Sequence, residues 1–366
     1  MRAKSSIKDL ALAHMQALHA YVPGKQPRDR DWIKLNTNEN PYPPSPAVAE
    51  ALANLSGDQL RKYPSPISGE LRKAVAESFT LPNENWAFVG NGSDEILNLL
   101  MRTFCDPERG GGYMVPSYSL YPVLLSIKNA KQIAVRYDDT FVLPIEKIAD
   151  CGANIFFLTS PNAPTGVGIP TESIRNLAAA FDGVLVVDEA YGAFASENAL
   201  SLVEEIPNLC VTRTLSKSHS LAGMRIGFLL GNPEMVQLLD KVRDSYNVNV
   251  ASQAAGLAAI SDPEYYNGLV DNIIRTREKF SKQWQFMGWK TYPSESNFLF
   301  IRPADSTGTI GPKVALSLFD FLREHKILVR YFGTDPLTDS FLRISVGSDS
   351  EMLTLSETID QWLKSA

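Results

Sequence analysis

Seven short apolar runs, most of them ending in polar or glycine-rich residues, limit the folds open to this chain. They span residues 86–89, 112–115, 132–137, 154–159, 184–188, 209–214 and 225–230. Helical patterns alternate with them, as at 69–79 before the first run and in Ile96, Leu97, Leu99 and Leu100 after it. Strands alternating with helices predict an α/β fold, a largely parallel seven-stranded sheet covered on both faces. Chemistry in such a sheet belongs at the carboxyl ends of the strands. Beyond Asn232 and Pro233 the pattern turns helical, over 233–246, 252–260 and 263–285. Strands at 289–292, 297–301, 327–330 and 341–346, with helices at 314–325 and 350–364, predict a smaller α+β unit. The expected divisions are an N-terminal arm (1–30), a large domain (31–250) and a small C-terminal domain (251–366). In the arm, Ile7, Leu10, Ala11, Met15 and Leu18 recur at helical spacing, and the residues from Tyr21 to Gly24 end the pattern.

Lys217 lies in the stretch TLSKSHSLAGMRIG, which starts at Thr214. A lysine in a polar loop is ordinarily a solvated surface charge. Here apolar strands precede and follow the loop, so the ammonium is held near the interior. Lost hydration lowers its pKa and makes it a usable amine nucleophile. Ser216 and Arg225 are spaced to grip a phosphate beside it.

Other strand ends add to this. The strand at 86–89 runs into Gly90, Asn91, Gly92, Ser93 and Asp94 and then a helix, a turn that lets backbone N–H groups approach an anion. It is neither GxGxxG nor a P-loop, so dinucleotide or ATP binding is not indicated. Four apolar residues run into Asp188, placing a carboxylate at a buried edge. An unpaired charge there is costly, which implies a cationic partner; a helix N-cap is the alternative reading. The stretch LNTNENPYPP from Leu35 is too polar and proline-rich for a regular element. It reads as a loop, either a connector or the lining of a site.

Composition excludes several classes. Net charge is −6 with no basic tract, so nucleic acid is not an expected partner. Cys105, Cys151 and Cys210 show neither CxxC nor metal spacing, and Cys210 sits in an apolar run. That usage points to a reducing compartment, the cytoplasm. The four histidines form no HxxxH pair, so no metal site is expected. No stretch approaches the ~18 apolar residues of a membrane span. Arg2, Lys4 and Lys8 before an apolar region invite a signal-peptide reading, but Asp9, His14, Gln16 and His19 interrupt it and favour an amphipathic arm.

These motifs, in this order, resemble a fold-type I pyridoxal 5′-phosphate (PLP) aminotransferase, most closely the histidinol-phosphate aminotransferase family. The similarity rests on YVPGK at Tyr21, LNTNENPYPPS at Leu35, YP at Tyr63, GNGSDEIL at Gly90 and PSYSLY at Pro116. It continues through PNAPTG at Pro161, DEAY at Asp188, TLSK at Thr214, LAGMRIG at Leu221 and LRISVG at Leu342. The resemblance implies that Lys217 binds PLP covalently and moves the substrate proton. It implies that Asp188 pairs with the pyridine nitrogen, supplying the cation the buried carboxylate requires, and that Asn162 and Tyr191 hydrogen-bond the ring oxygen. Tyr118 is expected to stack on the ring. The phosphate is expected at Ser93, Asp94 (through its backbone N–H), Thr214, Ser216 and Arg225. Tyr63 is expected to reach the cofactor phosphate of a second subunit, giving a homodimer with shared active sites. Arg330 and Arg343 are the expected substrate-anion grips, with surface ion pairing as the alternative, and Tyr21 and Asn40 complete the substrate site. Two departures stand out: Ser65 follows Tyr63-Pro64 where the family often has Asp, and Ser218-His219-Ser220 replaces a small–aromatic–small triplet.

The resemblance implies transamination of L-histidinol phosphate with 2-oxoglutarate, yielding glutamate. An aminotransferase for aromatic or other amino acids and a threonine-phosphate decarboxylase-like lyase stay open, since all need Lys217, Asp188 and Arg343. A PLP-binding regulatory domain ranks last. Such a domain usually accompanies a DNA-binding domain, whereas this chain opens almost at once on the arm and is acidic.

Overall fold

The computed structural model describes residues 6–21, 24–27 and 31–365. Arg2, Lys4, Val22 and Pro23, to which the sequence assigned parts of the arm, lie outside them. The arm departs from the expected helix. It forms a 3-10 turn at Ile7–Leu10 and a single α-turn at Ala13–Gln16, with Ile7 82% and Leu10 70% exposed. A helix this short is marginal without a surface on which to bury its apolar face.

The strands in chain order are β1 (Ile33–Lys34), β2 (Ala87–Gly90), β3 (Gly111–Val115), β4 (Gln132–Arg136), β5 (Ile155–Thr159), β6 (Val184–Asp188), β7 (Leu209–Thr214), β8 (Gly227–Gly231), β9 (Lys290–Thr291), β10 (Phe298–Arg302), β11 (Ile327–Leu328), β12 (Arg330–Tyr331) and β13 (Leu342–Ser345). The seven predicted runs form one sheet in the order β2-β8-β7-β6-β5-β3-β4. Neighbours are parallel except β8, which runs against both β7 and β2. A parallel return needs a crossover, usually a helix. The connection from β7 to β8 carries only the 3-10 turn Ala222–Met224, so the chain doubles back.

The central runs are largely apolar because both faces are covered, whereas the edge strand β4 is mostly exposed. Phe156, Leu158, Leu185, Val187 and Val211 enter one core; Ile155, Phe157, Val186 and Cys210 enter the other. Helices Gly69–Ser78, Ser93–Phe104, Leu120–Lys128, Thr171–Ala180 and Pro233–Val242 do the covering. The last of these stops short of residue 246 because Arg243 turns to extended backbone.

The C-terminal part holds an antiparallel sheet, β12-β13-β10-β9, packed on Trp284, Leu318 and Trp362. The single strand expected at 327–330 is two. Ile327–Leu328 pairs in parallel with β1, and Arg330–Tyr331 pairs with β13. Leu35 joins this C-terminal core, so the segment after β1 runs between the large sheet and the small one.

Candidate active site

The carboxyl ends of β2, β3, β5, β6 and β7 and the start of β8 meet at one edge of the large sheet. Each sends its next residues into a single cleft. The cleft is lined by Ser93, Asp94, Tyr118, Asp188, Tyr191, Thr214, Ser216, Lys217, Arg225, Arg330, Arg343 and Tyr21, among others. Four of these are cations and two are carboxylates, in a chain of net charge −6. An acidic protein with a cationic cleft is built for an anionic ligand.

Lys217 follows β7 directly. Its Nζ donates to Thr37 O at 3.1 Å and lies 6.0 Å from the centre of the Tyr191 ring. Burial first, then the Arg343 guanidinium, lowers its pKa from 10.5 to about 8. Asp188, the last residue of β6, is 3% exposed. Oδ2 accepts from Tyr121 Oη at 2.8 Å; Oδ1 accepts from Thr212 Oγ1 at 3.2 Å and Ala190 N at 3.3 Å. These donors are all neutral. The cationic partner implied by the sequence is not supplied by these contacts, and burial pushes the carboxyl from 3.8 up to about 6.

An anion ledge forms where the β2 and β8 ends meet. Helix Ser93–Phe104 starts there with Gly92 as its cap, at φ 81°. Gly92 needs glycine for its positive φ, and Gly227 because a Cβ there would come within 2.4 Å of Ser93 N. Arg225 Nη2 pairs with Asp94 Oδ2 at 3.1 Å, and Tyr118 Oη donates to Asp94 Oδ1 at 3.1 Å. Thr214 Oγ1 lies 2.9 Å from Ser216 Oγ and also accepts from Ser216 N. A helix N-terminus, two hydroxyls and a guanidinium make a site for phosphate.

At the opposite wall, Arg330 and Arg343 are direct cross-strand partners on β12 and β13. Like charges so placed repel. Aromatic rings pack beside them: Arg343 Cζ lies 5.2 Å from the Phe298 ring and 5.4 Å from Phe332, and Arg330 Cζ lies 5.7 Å from Phe332. Arg343 Nη2 donates to Asn36 O at 3.1 Å, while its Nε is buried without a partner. The arrangement leaves guanidinium donors for an anion that the chain itself does not provide.

The other expected site residues are spread more widely. Tyr21 meets Tyr118 edge to face at 6.0 Å. Asn162 is 2% exposed beside the lining residues Ala163 and Pro164, and its Oδ1 is buried without a partner. Asn40 does not line the cleft. Its Nδ2 donates to the carbonyls of Lys217 and Ser218, at 3.1 and 3.2 Å, and so braces the lysine loop. Tyr63 is also outside the cleft, 80% exposed and stacked on Tyr246 at 4.5 Å. His219 packs against the Tyr266 ring at a tilt, 4.2 Å between centres, and is bonded to Ser218; burial lowers its pKa to about 4, so the departure from the family triplet adds no charge.

Sequence reasoning passed over Tyr121, Thr212 and Asn38. Thr212 carried a faint signal, as a polar residue within an apolar run facing Asp188 across the sheet. Tyr121 and Asn38 lie in motifs already singled out, but only the tertiary fold aims them. Among the described residues, no cluster of three or more His, Cys, Asp or Glu could hold a metal, and no helix is long and apolar enough to cross a membrane.

Known proteins resemble this chain over most of its length. The family model for aminotransferase class I and II matches residues 30–359. The chain is 41% identical over 340 residues to histidinol-phosphate aminotransferase 1 of Trichormus variabilis, which spans 93% of this chain and 95% of that protein. It is 46% identical over 335 residues to the histidinol-phosphate aminotransferase of Syntrophotalea carbinolica, covering 91% and 93%. The crystal structure of histidinol-phosphate aminotransferase from Sinorhizobium meliloti in complex with pyridoxal-5′-phosphate has a TM-score of 0.82 at 27% identity, over 91% of each chain. The chain belongs to the class I and II aminotransferases, and within them to the histidinol-phosphate aminotransferase family.

Proposed function

We propose that this enzyme uses PLP to move the amino group of L-histidinol phosphate to 2-oxoglutarate, giving imidazole-acetol phosphate and L-glutamate in histidine biosynthesis. One observation carries the reading: Asp188, a buried carboxylate with only neutral donors, opens on the same cleft as the depressed amine of Lys217. Such a carboxylate calls for a cationic group from a ligand, and a protonated pyridine nitrogen is one. The ledge at Ser93, Thr214, Ser216 and Arg225 fits the phosphate of the same cofactor.

When bound, PLP supplies a carbon that condenses with amines and an electron-withdrawing ring that takes up the electron pair left by Cα–H cleavage. The chain's residues do the rest. Lys217 Nζ would hold the cofactor and, once the substrate amine has taken its place, carry the proton from the substrate Cα to the cofactor carbon that bound the lysine. With a pKa near 8 it is neutral in a useful fraction of molecules around neutrality. Asp188 keeps the ring nitrogen protonated, Tyr191 and Asn162 hydrogen-bond the ring oxygen, and Tyr118 covers the ring face. Asn40 acts by fixing the Lys217 loop. Arg330 and Arg343 bind the phosphate of one substrate and the carboxylates of the other, because the guanidinium fork suits both; Tyr21 closes the mouth. The proposal includes a cytoplasmic homodimer in which Tyr63, standing clear of its own cleft, serves the partner's site.

The test is a set of half-reactions. The absorption of the bound cofactor is followed as histidinol phosphate, phenylalanine or threonine phosphate is added separately. Histidinol phosphate should convert it fastest. Much faster conversion by phenylalanine would replace this reading with an aromatic aminotransferase, and decarboxylation of threonine phosphate with a lyase.

A further inference from the structure

Residues 36–38 cross the cleft and bond three of its working groups in succession. Asn36 O accepts from Arg343, Thr37 O accepts from Lys217, and Asn38 Nδ2 donates to Tyr191 Oη at 2.8 Å. Asn38 is 1% exposed and sits at φ 55°, a left-handed conformation that asparagine tolerates. It is pinned on every polar side. Its backbone N–H donates to Ser345 Oγ at 2.9 Å, and its carbonyl accepts from Asn297 Nδ2 at 3.0 Å. Ser345 Oγ donates back to Asn38 Oδ1 at 3.1 Å.

This arrangement fixes which way the amide faces. Ser345 Oγ already accepts the Asn38 backbone N–H, so its own proton goes to the side-chain oxygen. In the opposite amide orientation that buried hydroxyl proton would lose its acceptor, a cost comparable to a lost hydrogen bond. With Oδ1 held by Ser345, Nδ2 must face Tyr191. A phenol oxygen that accepts from an amide has its own proton free for another acceptor.

We propose that Asn38, oriented by Ser345, is a positioning residue that makes Tyr191 Oη an acceptor on its protein side and so directs the phenol proton into the cleft. The inference rests on the reading of the cleft as a PLP site in which Tyr191 meets the ring oxygen. It extends that reading to a residue that touches neither cofactor nor substrate. A donor aimed at an oxygen that carries negative charge lowers that oxygen's basicity. Without Asn38 the hydroxyl rotates, the oxygen becomes more basic, and protons bound near it are held to higher pH.

The experiment is a pH titration of the visible absorption of the purified holoenzyme. Asn38→Gly keeps the left-handed backbone, and Ser345→Ala leaves the Asn38 side chain in place but frees its orientation. Asn38→Gly should move the transition up by about half to one pH unit, the size of one weakened charge-assisted hydrogen bond. Ser345→Ala should move it in the same direction by less. In a Tyr191→Phe background neither change should move it further, because both act through the phenol. An unmoved transition in the single variants, or an equal shift in the Tyr191→Phe background, overturns the proposal. A wild-type protein that takes up no PLP overturns the cofactor reading beneath it. A protein that binds PLP but prefers another amino donor overturns only the substrate assignment and leaves the Asn38 result intact.

Discussion

Asp188→Asn should make the cofactor-free protein more stable and should remove the activity of the PLP-loaded enzyme. In the folded chain burial raises the Asp188 carboxyl from 3.8 to about 6. A raised acid contributes its full stability below the unfolded value, and that contribution is lost as pH rises through the folded value. Ionising Asp188 therefore costs the cofactor-free fold ~3 kcal/mol at pH 7.5. Asparagine removes this charge without orphaning its neighbours. Its oxygen can still accept from Thr212 and Ala190 N, and its amide can donate to Tyr121 Oη, whose proton then goes to Thr159 Oγ1 at 2.6 Å. Allowing for imperfect geometry, the net gain should be ~1–3 kcal/mol, a rise in Tm of a few degrees for a chain of this size. The assay is thermal unfolding of both cofactor-free proteins from pH 4 to 8. The variant's advantage should be small at pH 4, grow through pH 6 and level off above it. A variant less stable than wild type at pH 7.5, or an advantage that does not change with pH, would refute the argument. With PLP present the order should reverse, because only the carboxylate compensates a protonated ring.

Arg343→Ala should slow both half-reactions by roughly one to two decades, the effect of losing ~1.5–3 kcal/mol of charge-assisted hydrogen bonding. Arg330→Ala should harm the histidinol phosphate half-reaction more than the glutamate one, since a dianionic phosphate has more oxygens to satisfy; equal losses in pre-steady-state rates would count against the assignment. Lys217→Ala should be folded and inactive. Heterodimers of Lys217→Ala with Tyr63→Phe subunits should regain activity through one intact site, and recovery no greater than that of the parents would exclude shared sites.

The large sheet was legible in the sequence because its central strands are buried on both faces, so β5 and β6 read as apolar runs against helices of different period. Asp188 and Lys217 were legible for the same reason: a charge stands out where such a run stops. The direction of β8 was not marked, because apolar content does not encode polarity. It follows from the lack of a crossover helix between residues 214 and 227. The strand expected at 327–330 was misread as one element because Ile327, Leu328 and Val329 are continuous with Arg330 in hydropathy, although the chain changes sheets between Leu328 and Arg330. The roles of Asn38, Tyr121 and Asn40 depend on contacts with residues 67 to 307 positions away. No local pattern separates such a side chain from an ordinary loop or helix residue. The arm failed for the opposite reason: its periodicity was real, but Ile7, Leu10 and Leu12 stay largely exposed, so burial of an apolar face does not hold a long helix together.

The edge pairing of β2 with β8 also has a consequence during synthesis. Ala87–Gly90 is buried and apolar, and within the sheet its sole neighbour is a strand that ends at Gly231. At ~5–20 residues per second, the nascent chain carries β2 without that partner for about 7–28 s while roughly 140 more residues are made. During that interval the ledge that joins Ser93 to Arg225 does not exist, and a bare strand edge is open to pairing with other chains. Fragments cut between Thr214 and Gly227 should therefore be aggregation-prone even though they contain six of the seven strands, and ribosome pausing just ahead of residue 227 would lengthen the period of greatest exposure.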